Sequence, residues 1–134
     1  MIRAVILAAG RGSRLAAASS VVGLTPEQVA IAEMGLKPLM PLGSRRLIDH
    51  SLATLAQIGV REVVVVLGPH SSALREHLEE STAETSLLAI EFATQTTPRG
   101  TADALLAAEP LVGGEPFLMI NGDNLYAAAA LAEL

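Results

Sequence analysis

Val63-Val64-Val65-Val66-Leu67 is an unbroken aliphatic run that stops at Gly68-Pro69. A strand with one face in water alternates apolar and polar residues. A run with no polar position has to be covered on both faces, which happens inside a parallel sheet with helices on either side. Residues 2–8, Arg3 aside, form a second such run. Phe117-Leu118-Met119-Ile120 forms another, ended by Asn121-Gly122-Asp123, and Leu87-Leu88-Ala89-Ile90-Glu91-Phe92 a weaker one.

Helical patterns lie between these runs. From Leu47 to Ile58, residues Leu47, Ile48, Leu52, Leu55 and Ile58 share one stripe, and Gly59 follows as a stop. Ser71 to Glu80 reads as a polar, exposed helix, and Thr101 to Glu109 as an Ala/Leu-rich helix closed by Pro110. Strands that alternate with helices define an α/β sandwich with a mainly parallel sheet. Residues 16–36 break the alternation. There, Thr25-Pro26-Glu27-Gln28 carries the cap, first-turn proline and capping-box partner of a helix start, and Gly35 would end that helix. This segment reads as an inserted loop and helix.

Composition narrows the function classes. Hydrophobic residues make up 51% of the 134, enough for the core of one small domain, and only 2% are aromatic, so that core must be aliphatic. Phe92, Phe117 and Tyr126 are the only rings that could stack on a base, and the net charge is -5. Both facts argue against a nucleic-acid binder. The absence of cysteine excludes disulfides, thiolate metal sites and cysteine nucleophiles. The first apolar run is short and leads into Gly-Arg-Gly, so it reads as a strand rather than a signal peptide. No apolar stretch is long enough to span a bilayer, no membrane partner is expected, and a cytoplasmic location is.

After the first strand the chain reads Gly10-Arg11-Gly12-Ser13-Arg14. A strand–loop–helix junction can hold phosphate because free backbone N–H groups converge there. Glycines let the backbone come close, and arginines grip phosphate oxygens in pairs. The Walker pattern is absent, and the dinucleotide fingerprint lacks its third glycine where Leu15 stands. A lone Gly-x-Gly is also what an ordinary tight turn looks like. Lys37 is the only lysine in a chain whose other eight cations are arginine. It is either a chance survivor of an arginine-rich composition or a point charge kept for a phosphate.

Three further segments follow in order: Lys37-Pro38-Leu39-Met40-Pro41-Leu42, then Gln95-Thr96-Thr97-Pro98-Arg99-Gly100-Thr101-Ala102-Asp103-Ala104-Leu105, then Asn121-Gly122-Asp123-Asn124-Leu125-Tyr126. With the glycine turn they resemble the sugar-1-phosphate nucleotidylyltransferases, across nearly the whole chain. The resemblance implies a Rossmann-like three-layer αβα sandwich. It also implies transfer of a nucleotidyl group from a nucleoside triphosphate to a sugar 1-phosphate, with Mg²⁺ and release of pyrophosphate. By resemblance, Gly10, Arg11 and Gly12 wrap the triphosphate and Arg14 holds its β/γ end. Lys37 neutralises the α-phosphate or the attacking sugar phosphate. Gln95, Gly100 and Thr101 lie at the base, with Leu7, Ala8 and Ala9 packed nearby, and Asp123 binds Mg²⁺.

Blander readings stand beside these. Gln95 could be a polar loop residue, Gly100 the start of a helix, and Asp123 a helix cap. Asp103 sits in a first helical turn, where the dipole favours a carboxylate. Arg45 and Arg46 read as solvated surface, and Asp49-His50 as a helix edge. His50, His70 and His77 fit no catalytic role in the family, and His70 and His77 are badly spaced for a shared metal. The insertion at 16–36 departs from the family pattern. The chain also ends in an Ala/Leu run, Ala127 to Leu134, without a stop signal. The whole chain, 1–134, is therefore expected to be the N-terminal nucleotide-binding part of a nucleotidyltransferase domain, truncated after its fourth strand, that binds nucleotide with little or no turnover. Two rival readings are a nucleotidyltransferase for a non-sugar phosphate and a non-catalytic nucleotide-binding regulatory module. Homo-oligomerisation stays open.

Overall fold

A computed structural model describes residues 3–9, 26, 37–39, 41–42, 45–69, 71–85, 88–96 and 100–122. Its sheet is built from β1 (Arg3–Ala8), β4 (Glu62–Leu67), β5 (Ala89–Thr94) and β6 (Phe117–Asn121), in the spatial order β5-β4-β1-β6. All three pairings are parallel. β1 meets β4 from Arg3↔Glu62 to Ala8↔Leu67 and meets β6 from Arg3↔Phe117 to Leu7↔Asn121. A 3-10 turn at Lys37–Leu39 leads to a small antiparallel pair, β2 (Pro41–Leu42) and β3 (Arg45–Arg46). The helices are α1 (Leu47–Gln57), α2 (Ser72–Thr85) and α3 (Thr101–Val112).

The aliphatic runs of the two inner strands, β1 and β4, are covered on both faces as expected, whereas β6 is not: Ile120 is buried, but Phe117 and Met119 on its other face are 40% exposed. Along β4, Val63, Val65 and Leu67 join one buried cluster, while Val64 and Val66 join another. The first cluster takes Ile48, Leu52 and Leu55 from α1 and Leu74 and Leu78 from α2. The second takes Ala104, Ala108 and Val112 from α3. The chain steps from β1 to β4 to β5 in one direction, then returns through α3 on the opposite face to place β6 on the other side of β1. The αβα sandwich and its parallel sheet are thus as expected. Among the described residues, nothing pairs with the outer edge of β6.

Three element boundaries differ from the sequence reading. The third run forms a strand at Ala89–Thr94, not at 87–92. Its register follows the ladder to β4, where the Ala89 N–H donates to the Arg61 carbonyl (2.8 Å) and the Gln95 N–H to the Leu67 carbonyl (2.7 Å). α2 continues past Glu80 to Thr85, and it is not exposed all round, because Leu74 and Leu78 are buried. α3 runs through Pro110 to Val112. Proline cannot donate to the carbonyl four residues back, that of Leu106, but Leu106 is 64% exposed, on the water side of the helix. Beyond the proline, the Arg3 guanidinium donates to the carbonyls of Leu111 (3.3 Å) and Val112 (3.1 Å) and closes the helix end.

Of the 16–36 insertion only Pro26 is described, helical and exposed; the remainder of its expected helix lies outside the described residues, as does the terminal Ala/Leu run.

Candidate functional site

The parallel strands end within a residue of one another. One residue past the end of each stand Ala9, Gly68, Gln95 and Gly122, in a row along the carboxyl edge of the sheet. β1 and β6 are neighbours at the point where the strand order reverses: the chain goes from β1 to β4 by way of α1 on one face and reaches β6 by way of α3 on the other, which makes their junction the topological switch point. Open α/β sheets take ligands outside the carboxyl ends of the strands at such a point. The chain leaves β1 at Ala9, one residue before Gly10, and leaves β6 at Gly122, one residue before Asp123.

The row is held tightly at both sides of Ala9. A Cβ on Gly68 would sit 2.8 Å from the Ala9 carbonyl oxygen and 3.3 Å from its Cα, both fixed backbone atoms. Only glycine allows that approach. Across the switch point, the Gly122 N–H donates to the Leu7 carbonyl at 2.9 Å. The Gly68 N–H is itself satisfied by the hydroxyl of the buried Ser71 (3.0 Å), and Ser71 opens α2. Leu7 and Ala9 are half-buried against the α3 side, and Ala8 is buried on the α1/α2 side. The three residues expected near the base therefore form the packed root of the glycine turn.

Gln95 is 5% exposed, so it is not a loose loop residue. Its NH₂ group donates to Asp103 Oδ2 at 2.8 Å and to the Gly100 carbonyl at 3.3 Å. Gly100 precedes α3 with φ 97 and ψ −178, a conformation open essentially to glycine alone. A Cβ there would meet nothing within 4 Å, so the position borders open space. Gly100 thus starts the helix and also closes a corner with Gln95 and Asp103. Asp103, read as a helix-dipole residue, is the anchor of the Gln95 side chain.

The Lys37–Leu39 turn packs on α1, with Pro38 buried. Arg45 is exposed as expected, but Arg46 is not solvated surface. It is half-buried, and its guanidinium donates to the Leu39 carbonyl at 3.1 Å. Its backbone N–H donates to Asp49 Oδ2 (3.0 Å), which places Asp49 at the start of α1. The turn bearing Lys37 is thereby tied to a helix end. Asp49 also meets His77 Nε2 (2.9 Å), joining α1 to α2. Among the described residues no three His, Asp or Glu side chains gather as a metal site, and no helix is long and apolar enough to cross a membrane.

Gly10, Arg11, Gly12, Arg14, His70 and Asp123 lie outside the described residues, as do the side chains of Lys37 and Thr101. The structure brings Leu7, Ala8, Ala9, Gln95 and Gly100 to one edge. Sequence reasoning missed Gly68 as a packing requirement, although a glycine directly after a central strand is its signal. It also missed Arg46 and the Gln95–Asp103 pair.

Strand order and a glycine-lined carboxyl edge define a Rossmann-like α/β protein. More narrowly, the chain belongs to the nucleotidyl transferase family, whose model matches residues 3–134. It is 29% identical over 131 residues to a glucose-1-phosphate thymidylyltransferase of Xanthomonas campestris, a match covering 98% of this chain and 40% of that protein. It is 33% identical over 127 residues to an N-acetylmuramate alpha-1-phosphate uridylyltransferase of Neisseria meningitidis, covering 92% of this chain and 48% of that one. The chain therefore spans less than half the length of these curated relatives. Among solved structures, a candidate glucose-1-phosphate thymidylyltransferase from Bacillus anthracis matches with TM-score 0.73 and 26% identity, over 95% of this chain and 46% of that one. A UDP-glucose pyrophosphorylase complexed with UDP-glucose shares the fold, with TM-score 0.71 and 21% identity over 99% of this chain and 52% of that one. The family resemblance carried by the four motifs is borne out.

Proposed function

We propose that this chain holds the nucleoside triphosphate in an enzyme that transfers a nucleotidyl group to a sugar 1-phosphate. The observation that carries the reading is the carboxyl-edge row. The two segments that leave it at the switch point run into Gly10-Arg11-Gly12 and into Asp123. The relatives' names, thymidylyl- and uridylyltransferases of sugar 1-phosphates, support the same reaction.

In that reaction an oxygen of the sugar phosphate attacks the α-phosphorus in line. The bond from the α-phosphorus to its bridging oxygen breaks, and pyrophosphate leaves with the electron pair. Negative charge gathers on the phosphate oxygens, so the protein's task is positioning and fixed positive charge. The N–H groups of the Gly10–Gly12 turn and the Arg11 guanidinium cradle the triphosphate, Arg14 takes its β/γ end, and Lys37 faces the α-phosphate or the incoming sugar phosphate. Gln95, Gly100 and Thr101 receive the base beside Leu7, Ala8 and Ala9. Mg²⁺ would be held by Asp123 and would offset charge on the triphosphate; a hard carboxylate oxygen suits it, and substrate phosphates and water complete its shell. Gly122 pins the strand end one residue before that carboxylate.

A melting-temperature panel with UTP, dTTP, GTP, CTP and ATP, each with Mg²⁺, tests the binding half. At least one is expected to raise the midpoint in a dose-dependent way. The transfer half is tested by incubating the bound nucleotide with glucose 1-phosphate or N-acetylmuramate 1-phosphate, with nucleotide-sugar and pyrophosphate as readouts. If no triphosphate shifts the melt, the reading falls.

A further inference from the structure

The Gln95 side chain has its polarity fixed by chemistry. A carboxamide offers two donors at one end and an acceptor at the other, and the two ends have nearly the same shape. The groups that meet its nitrogen are Asp103 Oδ2 at 2.8 Å and the Gly100 carbonyl at 3.3 Å. An ionised carboxylate and a backbone carbonyl are both acceptors only. Turning the amide over would bring Oε1 against two oxygens and leave the site with lone pairs facing lone pairs. At 5% exposure little water could intervene. Among the described residues nothing donates to Oε1, and it is not among buried side-chain oxygens left unsatisfied, so the acceptor end of the amide is open to solvent or a ligand.

We propose that Asp103 is a positioning residue that sets base preference by holding the Gln95 carboxamide with its acceptor oxygen offered to the nucleotide. The inference rests on the reading that Gln95 and Gly100 meet the base. An acceptor oxygen complements a base edge that carries a ring N–H next to a carbonyl. Uracil, thymine and guanine present that edge; cytosine and adenine present a bare ring nitrogen next to an amino group. With the amide locked, the bare ring nitrogen of cytosine meets acceptor against acceptor. Without the lock, the amide can turn and accept either.

UTP and CTP have the same size and charge, so their affinity ratio isolates this effect. Isothermal titration of the chain with each, in the presence of Mg²⁺, is expected to favour UTP by about tenfold or more, the scale of leaving buried polar groups mismatched. Asp103→Asn keeps volume but can present either an acceptor or a donor, so it frees the amide. The UTP:CTP ratio is expected to fall by about threefold or more, with CTP binding improved in absolute terms. Asp103→Glu retains an acceptor-only partner and is expected to keep most of the preference, while Asp103→Ala is expected to lose it. Melting curves of each variant follow folding separately. A residue needed only for the helix dipole would lower the melt and weaken both nucleotides alike. An unchanged ratio in the folded Asn variant, or a wild type that binds UTP and CTP equally, overturns the role of Asp103 and leaves the nucleotide site intact. A wild type that binds neither UTP, dTTP nor GTP overturns the nucleotide site, and this inference with it.

Discussion

The two faces of the sheet are built from residues of different size. On the α1/α2 face the fully buried side chains are large, among them Ile6, Ile48, Leu55, Leu74, Leu78 and Ile120. On the α3 face the buried set is Val5, Val64, Val66, Ala93, Ala104, Ala108 and Val112. Helix-to-sheet distance follows side-chain size, so the small face lets the α3 backbone lie close to β4, β1 and β5. The two faces divide the work. The bulky one supplies most of the apolar burial, while the thin one brings Gly100 and the first turn of α3 level with Gln95 at the carboxyl edge.

That division can be broken from either side. Leu55→Ala empties a fully buried site on the thick face and is expected to cost about 2–5 kcal/mol in urea unfolding, with nucleotide affinity of the folded protein little changed. Ala104→Leu overfills the thin face, where Ala104 is 4% exposed. It is expected to cost about 1–3 kcal/mol and also to weaken nucleotide binding, since α3 must move outward with Gly100. Equal binding losses in the two variants would erase the contrast. Gly100→Ala adds no contact, so its expected cost of about 1–2 kcal/mol comes from backbone conformation alone, and it should appear together with weaker nucleotide binding. Arg75→Ala removes the i,i+4 pair to Glu79 (3.0 Å) and the guanidinium 4.8 Å above the Phe92 ring. Both partners of the pair are about half exposed, so the expected loss is about 0.5 kcal/mol, smaller still at high salt and without effect on binding.

What could be read in advance followed periodicity. The apolar runs at 2–8, 63–67 and 117–120 match β1, β4 and β6 to within a residue or two; burial on both faces leaves room for a polar side chain only at the start of β1 and β4, at Arg3 and Glu62, while β6 is apolar although Phe117 and Met119 are exposed. β5 was misplaced by two residues because its sequence carries Glu91 and exposed positions, and its register is set by hydrogen bonds to β4. Pro110 was read as a stop because a local rule ignores the distant Arg3, whose guanidinium serves the carbonyls beyond it. The same limit applies to the site. Gln95, Gly100 and Thr101 stood out by their motif. The bond from Gln95 to Asp103 spans a turn whose path no spacing rule specifies, and the tie from Arg46 to Leu39 joins two segments that read separately as a family motif and a solvated surface.

The central place of β1 has a consequence for how the protein is made. β1 precedes the other described strands in sequence yet sits inside the sheet, and its second neighbour, β6, is the last of them to be synthesised. Ala4, Val5 and Ile6, all fully buried in the folded chain, have one strand edge unpaired until β6 has been made. Parallel pairings between distant segments form slowly, and open apolar edges are where nascent chains stick to one another. Such a protein is expected to refold cleanly only when dilute, and in the cell to lean on chaperones during the interval before β6 arrives.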